Sequence, residues 1–291
     1  MASYIGTTAA RAGQLDRVKA YYDATLLDYR VIWTGLHDHA LHLGYYGAGA
    51  RTHRESLLAL NATVARFADI GGGDRVLDAG CGWGGTAVWL AREVGCHVVG
   101  INVVPHQIEL ARKFAERHAV LANVDFRMED YNHTSFPDAS FDVVVGIESI
   151  VHAEDKRAFI REAFRLLNPR GRLLIAEYML RNDPPLSAEE QVFIRPWLEN
   201  WVMPTLLSQR EYHALMAETG FQSTKTYDLT TGVKKSVERL AKFAILTWPI
   251  AWLLETLTMG EAHVRNRAAV TSMAQGLWRG LWRYNVLVGV K

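Results

Sequence analysis

The stretch VLDAGCGWGG, residues 76–85, runs from an apolar segment straight into a glycine-rich turn. A strand, such a turn and a helix together let a ligand come close to the backbone and meet the unpaired amides of the helix N-terminus. The surrounding sequence supplies both neighbours. From Arg75 to about Tyr178, β-branched apolar runs alternate with stretches that carry apolar residues at three- and four-residue spacing, the pattern of a parallel sheet covered by helices on both faces. RVLDA (75–79), HVVGI (97–101), VDFRM (124–128), FDVVVGI (141–147) and RLLIAEYM (172–179) read as strands one to five. TAVWLAREV (86–94), HQIELARKFAERHA (106–119) and KRAFIREAFRLL (156–167) read as the crossover helices, the last stopped by the proline and glycine of NPRG at 168–171.

Two helices are predicted ahead of this core, Leu15 to Trp33 and Arg54 to Ile70, separated by the histidine-rich LHDHALHLGYYG at 36–47. Beyond the loop DPPL (183–186), SQREYHALMAETG (208–220) reads as a helix, FQSTKTYDL (221–229) as a sixth strand and YNVLVGV (284–290) as a seventh. About fifty tryptophan-rich, helix-like residues lie between those last two strands. The predicted fold is α/β: a doubly wound, Rossmann-like, mostly parallel seven-stranded sheet with N-terminal helices and a helical cap inserted before the last strand. Within one domain, 1–291, residues 1–70 form an N-terminal cap, 71–182 the cofactor-binding core, 183–280 the acceptor-side helices and lid, and 281–291 the last strand.

The 291 residues carry a formal net charge of +1, so no surface-wide field argues for nucleic acid and a small molecule is the expected partner. Cys81 and Cys96 are the only cysteines, poor material for a disulfide framework, which points to a reducing cytoplasm. MASYIGTTAARAG lacks an apolar core of signal-peptide length, and no apolar run of about 18 residues appears. No membrane span is expected.

The glycine spacing alone is ambiguous. Gly80, Gly82 and Gly84 give G-x-G-x-G, and Gly80, Gly82 and Gly85 give the G-x-G-x-x-G of a dinucleotide site. Asp78 shifts the balance, because a carboxylate at the end of the strand repels a pyrophosphate and welcomes a cation. S-adenosyl-L-methionine, with a sulfonium, an ammonium and no phosphate, suits it better than a nicotinamide dinucleotide.

DAGCGWGG (78–85) resembles the first motif of class I S-adenosylmethionine-dependent methyltransferases, and GCGWGG is most similar to the branch of cyclopropane-fatty-acid synthases and of tocopherol, sterol and small-molecule methyltransferases. GIN (100–102) followed by Gln107, MEDYNHTSFPDASFDVV (128–144) and ESIVHAEDK (148–156) match further motifs in register. The resemblance covers residues 14 to 180 well. It implies that Asp78, Gly80 and Gly82 line the methionine and adenosine sides, Asn102 the ribose hydroxyls, and Asp130 with Tyr131 the adenine edge, with Tyr22, Trp83, Gln107 and Ile147 as further cofactor contacts. S-adenosyl-L-homocysteine is then the product. Many class I members have an acid where this chain has Asn102, which hydrogen-bonds a ribose hydroxyl more weakly.

Glu148 falls just beyond the fourth strand, at the carboxyl edge where open α/β folds bind ligands, and His152 follows four residues later. Together they can take a proton from an acceptor. Methyl addition to an alkene carbon leaves a carbocation, which a carboxylate and nearby aromatic faces stabilise before the proton leaves. In the prenyl-methylating branch a glutamate in a similar place looks like the base, so the resemblance carries that role to Glu148; capping the next helix or orienting the cofactor is the bland alternative. WTGLHDHALHLGYYG (33–47) resembles the tocopherol-type stretch that closes over the active site, which makes Tyr22, His42, Tyr45 and Tyr46 candidates for cofactor or acceptor contact. His37, Asp38, His39 and His42 also invite a metal reading, but no separated partner cluster completes a ligand set, and no bound metal is expected.

Trp197 and Trp201, like Trp248 and Trp252, are four apart and share a helix face. Core packing explains them, as does a lid or pocket for an apolar acceptor. Lys234, Lys235, Arg239 and Lys242 precede the second pair and allow transient contact with a membrane surface to collect such an acceptor, or simply form a solvated face. The sequence therefore predicts a methyltransferase of an apolar or amphipathic small molecule, with carbon methylation of a prenyl or terpenoid acceptor placed ahead of oxygen or nitrogen methylation of an aromatic or alkaloid-like metabolite. A nicotinamide-dependent oxidoreductase, a non-catalytic cofactor-binding module and cyclopropane formation are the rivals.

Overall fold

The computed structural model describes residues 13–30, 39–47, 49–182, 184–246 and 261–291. Each β-branched run of the core forms a strand: β1 (Arg75–Ala79), β2 (His97–Asn102), β3 (Val124–Met128), β4 (Phe141–Ile147) and β5 (Leu167–Leu180), followed by β6 (Ser223–Asp228) and β7 (Trp282–Val290). They make one seven-stranded sheet in the order β3-β2-β1-β4-β5-β7-β6. β1 to β5 pair in parallel, and β7 enters antiparallel between β5 and β6. Strand order reverses between β1 and β4, the switch point where open α/β sheets bind ligands.

The helices are α1 (Gln14–Ala24), α2 (Leu26–Asp28), α3 (His53–Phe67), α4 (Gly85–Trp89, continued by a π turn at Leu90–Val94), α5 (Pro105–Arg117), α6 (Lys156–Leu166), α7 (Ala188–Asn200), α8 (Gln209–Thr219), α9 (Thr230–Leu246) and α10 (Glu261–Trp278). The predicted helix from Leu15 breaks at Thr25, whose Oγ1 bonds back to the Tyr21 carbonyl at 2.7 Å and so competes with the helical ladder; its predicted end at Trp33 lies outside the described residues. β7 begins at Trp282, two residues before the predicted start, because Trp282 and Tyr284 both point into the core. Asp155 caps α6 by accepting from the Arg157 and Ala158 amides, so Glu148 is not that helix's cap.

Alternation along β5 divides the core. Leu174, Ala176 and Tyr178 pack with Trp197 and Trp282 on one face, while Leu173, Ile175 and Met179 pack with Phe159 and Tyr212 on the other. Among the described residues no helix is long and apolar enough to cross a membrane.

Candidate active site

The glycine turn leaves β1 with Gly80, Gly82 and Gly84 all at positive φ, +85°, +53° and +81°, where a Cβ is strained. At Gly80 there is no room either, since a Cβ would fall 2.4 Å from the Ser149 Cβ. The Gly80 and Cys81 amides donate to the Ile101 carbonyl at 2.9 and 3.0 Å, fixing the turn across the ends of β1 and β2. At the head of the turn Asp78 is 3% exposed, and its Oδ2 is buried with no hydrogen-bond partner. Burial alone pushes its carboxyl up to about 7. An anion with a bare oxygen beside a side-chain-free turn fits a cationic ligand of the S-adenosylmethionine type, whose charge would meet a need that the protein leaves open.

Asn102, at the end of β2, donates Nδ2 to Gln107 Oε1 at 2.7 Å and accepts from the Val104 amide at 3.1 Å. The predicted ribose contact and the predicted cofactor contact at the start of α5 therefore touch. Asp130 Oδ1 takes the Asn132 amide at 2.9 Å, and Tyr131 donates to the Ser149 carbonyl at 3.2 Å, which brings the adenine-type segment to the residue after Glu148. Trp83 is buried against His39, with ring centroids 5.7 Å apart, and Ile147 is half-buried at the end of β4.

Glu148 has φ +49°, and its amide donates to the Ala176 carbonyl at 2.8 Å. Its carboxylate is buried and held by three donors: the Leu43 amide at 2.7 Å and the Tyr284 hydroxyl at 2.9 Å on Oε1, and the Tyr178 hydroxyl on Oε2. Burial pushes the carboxyl up to about 7, against the pull of those donors. Tyr178 and Tyr284 face each other in the β5–β7 register, and Tyr178 contacts Trp197, Trp201 and Trp282 with ring centroids 4.9, 6.5 and 5.4 Å away. Trp197 is fully buried near the end of α7, and Trp201, its C-cap, stands 6.0 Å away. The carboxylate thus sits at one edge of an aromatic wall.

The Tyr22 hydroxyl, on α1, lies 3.1 Å from His152 Nε2, and His152 Nδ1 lies 3.3 Å from the Val202 carbonyl. Burial drops the imidazole to about 4, so it is neutral at physiological pH. Gln14 Nε2 donates to the His152 and Val202 carbonyls at 3.1 and 2.8 Å, fastening α1 over this corner.

The remaining candidates face elsewhere. His42 is buried between the Leu43 carbonyl and Asn61 of α3, 3.0 and 3.1 Å away. The Tyr45 ring packs on Gly232, and Tyr46 bonds the Gly232 carbonyl through its amide while Lys235 sits 4.6 Å over its ring. His39 stacks on Phe114, away from His42. His37, Asp38, Trp248 and Trp252 lie outside the described residues, and among the described ones no three His, Cys, Asp or Glu side chains gather as a metal site. Tyr178, Tyr284 and Ser149 were not singled out from sequence. The signal available was register: a tyrosine at the end of the fifth strand, which pairs with the strand that leads into Glu148, and another at the head of the seventh, which pairs with the fifth.

Residues 70–220 match the family model described as a methyltransferase domain. The chain is 26% identical to the chloroplastic tocopherol O-methyltransferase of Arabidopsis thaliana over 98% of its own length and 84% of that protein's. A cyclopropane synthase from Mycobacterium tuberculosis shares its fold at a TM-score of 0.82 and 18% identity, with 97% of this chain and 99% of that one covered. A geranyl diphosphate C-methyltransferase from Streptomyces coelicolor A3(2), in complex with Mg2+, geranyl diphosphate and S-adenosyl-L-homocysteine, superposes at a TM-score of 0.73 and 18% identity over 96% and 98% of the two chains.

Proposed function

The chain belongs to the methyltransferase domain family and uses S-adenosyl-L-methionine, and from that premise we propose that it methylates carbon in an apolar or amphipathic, prenyl- or terpenoid-type small molecule, with Glu148 as the base. The observation that carries this reading is the buried Glu148 carboxylate, poised near 7 against the aromatic wall of Tyr178, Tyr284, Trp197 and Trp201. The cofactor supplies the methyl group from its sulfonium and leaves as S-adenosyl-L-homocysteine. Asp78, Gly80 and Gly82 hold its charged and backbone-hugging parts, and Asn102, Gln107, Asp130, Tyr131, Trp83, Ile147 and Tyr22 its remainder. Around the acceptor, the wall excludes water and offers π faces to positive charge that develops on an alkene carbon. Glu148 then takes the proton that restores neutrality, a transfer for which a carboxylate near 7 is well matched. The geranyl diphosphate C-methyltransferase that shares the fold supports this choice.

A second reading, oxygen or nitrogen methylation of an aromatic or alkaloid-like metabolite, is favoured by the Tyr22–His152 pair, a polar handle for an acceptor hydroxyl or amine, and by the tocopherol O-methyltransferase relative. Under either reading the two free cysteines suit a cytoplasmic setting. Exposed Phe243, Ile245 and Leu246 beside Lys242 at the end of α9 suit brief contact with a membrane surface.

The test is transfer of labelled methyl from S-adenosylmethionine to geranyl diphosphate, γ-tocopherol, simple phenols and an indole alkaloid, with the product position read by NMR. A new carbon–methyl bond that disappears in Glu148→Gln is the expected result. A product methylated only on oxygen or nitrogen overturns the carbon reading.

A further inference from the structure

Two buried charges lie on the opposite face of β5 from the tyrosines, and the chemistry above uses neither. Glu177, next to Tyr178, is fully buried; its Oε1 accepts from the Tyr212 hydroxyl, and its Oε2 is buried with no partner. Lys156, the first residue of α6, is 4% exposed, and its Nζ donates to the carbonyls of Val151, Ala153 and Thr205 at 3.5, 3.1 and 2.9 Å. Taking both ions out of water is costly, so what they hold is informative. Lys156 grips the turn that carries His152, because the Val151 and Ala153 carbonyls it bonds lie on either side of that residue.

Val151 is the middle of the short 3-10 turn Ile150–His152, three residues past Glu148 and one before His152. Glu148 needs such support, because a non-glycine residue at φ +49° persists only where its surroundings over-determine it. The same lysine bonds Thr205, close in sequence to the Val202 carbonyl that meets His152 Nδ1. One cation therefore ties together the two segments whose spacing sets the imidazole. Adjacent residues of β5 face opposite ways: Tyr178 holds the Glu148 carboxylate on one face, and Glu177 is buried with the Tyr212 hydroxyl on the other.

We infer that Lys156 is a positioning residue for methyl transfer, clamping the Val151 and Ala153 carbonyls to Thr205 so that the turn presents Glu148 and His152 at fixed places. This rests on the reading of Glu148 as the base. The clamp also acts through charge. Tyr178, Tyr284, Tyr22, the Leu43 amide and Glu177 are the groups around Glu148, and of these Glu177 pushes its carboxyl up while the Tyr178, Leu43 and Tyr284 donors pull it down. Lys156 pushes the His152 imidazole down.

The experiment compares wild type with Glu177→Gln, Lys156→Met and Lys156→Arg. The Glu148 carboxyl is titrated by infrared difference spectroscopy, assigned with Glu148→Gln, and the His152 ring by NMR; neither needs an acceptor. Single-turnover methyl transfer is measured with the acceptor that gives product in the panel above, and S-adenosylmethionine affinity by calorimetry. Glu177→Gln is expected to move the Glu148 titration to lower pH, and Lys156→Met to move the His152 titration to higher pH. Lys156→Met is expected to slow transfer about tenfold, as small misplacements of reacting groups do, with cofactor affinity unchanged and most of the rate restored by Lys156→Arg. Folded variants that keep both titrations and the rate of wild type overturn the inference, as does a rate loss that only tracks loss of folded protein. If Lys156→Met does not fold, Lys156→Gln, which keeps a donor and loses the charge, decides the question through the His152 titration and the transfer rate. Full activity in Glu148→Gln sinks the base reading instead, and the clamp is then judged on the His152 titration and the Lys156→Met rate.

Discussion

Asp78 and Glu148 stand at the carboxyl ends of neighbouring strands, and burial pushes both carboxyls up to about 7. They are held in opposite ways. Asp78 Oδ2 has no hydrogen-bond partner, and burial is the sole cause of its shift; Glu148 takes three donors from three parts of the chain. A bare buried anion is a cost that a cationic ligand removes on binding, whereas an anion already surrounded by donors is fixed in place before any ligand arrives. On the function proposed above, the contrast matches binding at one edge of the switch point and chemistry at the other.

The sharpest way to break that contrast is to neutralise each carboxylate in turn. Glu148→Gln keeps the shape and removes the proposed base, so kcat is expected to fall by about 10²- to 10⁴-fold while calorimetry shows unchanged affinity for S-adenosylmethionine. Asp78→Asn is expected to do the reverse, weakening that affinity by about 10- to 100-fold as loss of one partner from a buried charge pair does. If Glu148→Gln chiefly weakens cofactor binding, the two edges are not separate. Asp78 carries a further sign. Its folded carboxyl titrates above its unfolded one, so the folded state holds the proton more tightly, and the ligand-free protein loses stability as pH rises from about 4 to about 7. Asp78→Asn removes that loss, and chemical denaturation at pH 7.5 without cofactor is expected to show a gain of about 1–3 kcal/mol. In wild type, cofactor affinity rises with pH through about 7, and in the variant it stays flat.

The cofactor edge was the more legible of the two. β1 to β4, the glycine turn and the carboxylate before it are local signals, written within about seventy residues and readable from alternation and φ requirements. The Glu148 edge is assembled from distant segments. Leu43 reaches it from 105 residues away and Tyr284 from 136, and the Tyr22–His152 contact spans 130. No periodicity announces such meetings; they follow from the antiparallel insertion of β7 and from the folding back of the N-terminal helices. Lys156 and Glu177 were in plain view as letters, but their burial depends on which face of β5 the alternation assigns to Glu177. The histidine-rich stretch shows the converse: His39 and His42 are close in sequence and turn to different partners, Phe114 and Asn61.

A smaller perturbation sharpens the same contrast at the Glu148 edge. Tyr178 lowers the Glu148 carboxyl by donating to it, so Tyr178→Phe raises it. A base is active when unprotonated, so the acid limb of the rate profile moves to higher pH. The rate at pH 6.5 is expected to fall about three- to tenfold and to recover above pH 8, which separates a lost donor from a lost fold. Tyr284→Phe moves the limb in the same direction, while cofactor affinity stays put in both.

The smallest expected effect tests whether the strap before α3 transmits anything to either edge. Thr52 and Glu55 form a capping box: Thr52 Oγ1 accepts the Glu55 amide at 3.2 Å, and the Glu55 carboxylate accepts the Thr52 amide at 3.2 Å and the Arg51 amide at 2.7 Å. Thr52→Ala removes one half of the box, a loss of about 1 kcal/mol. The strap is nevertheless pinned independently of the cap, by Leu43 to Glu148, Gly44 to Ser236, Tyr46 to Gly232 and His42 to Asn61. The denaturation midpoint is therefore expected to drop while cofactor affinity and the acid limb stay at wild-type values. A shift of the acid limb in Thr52→Ala shows instead that the first turn of α3 sets the Leu43 amide, and that the Glu148 edge is less fixed before ligand arrives than its three donors imply.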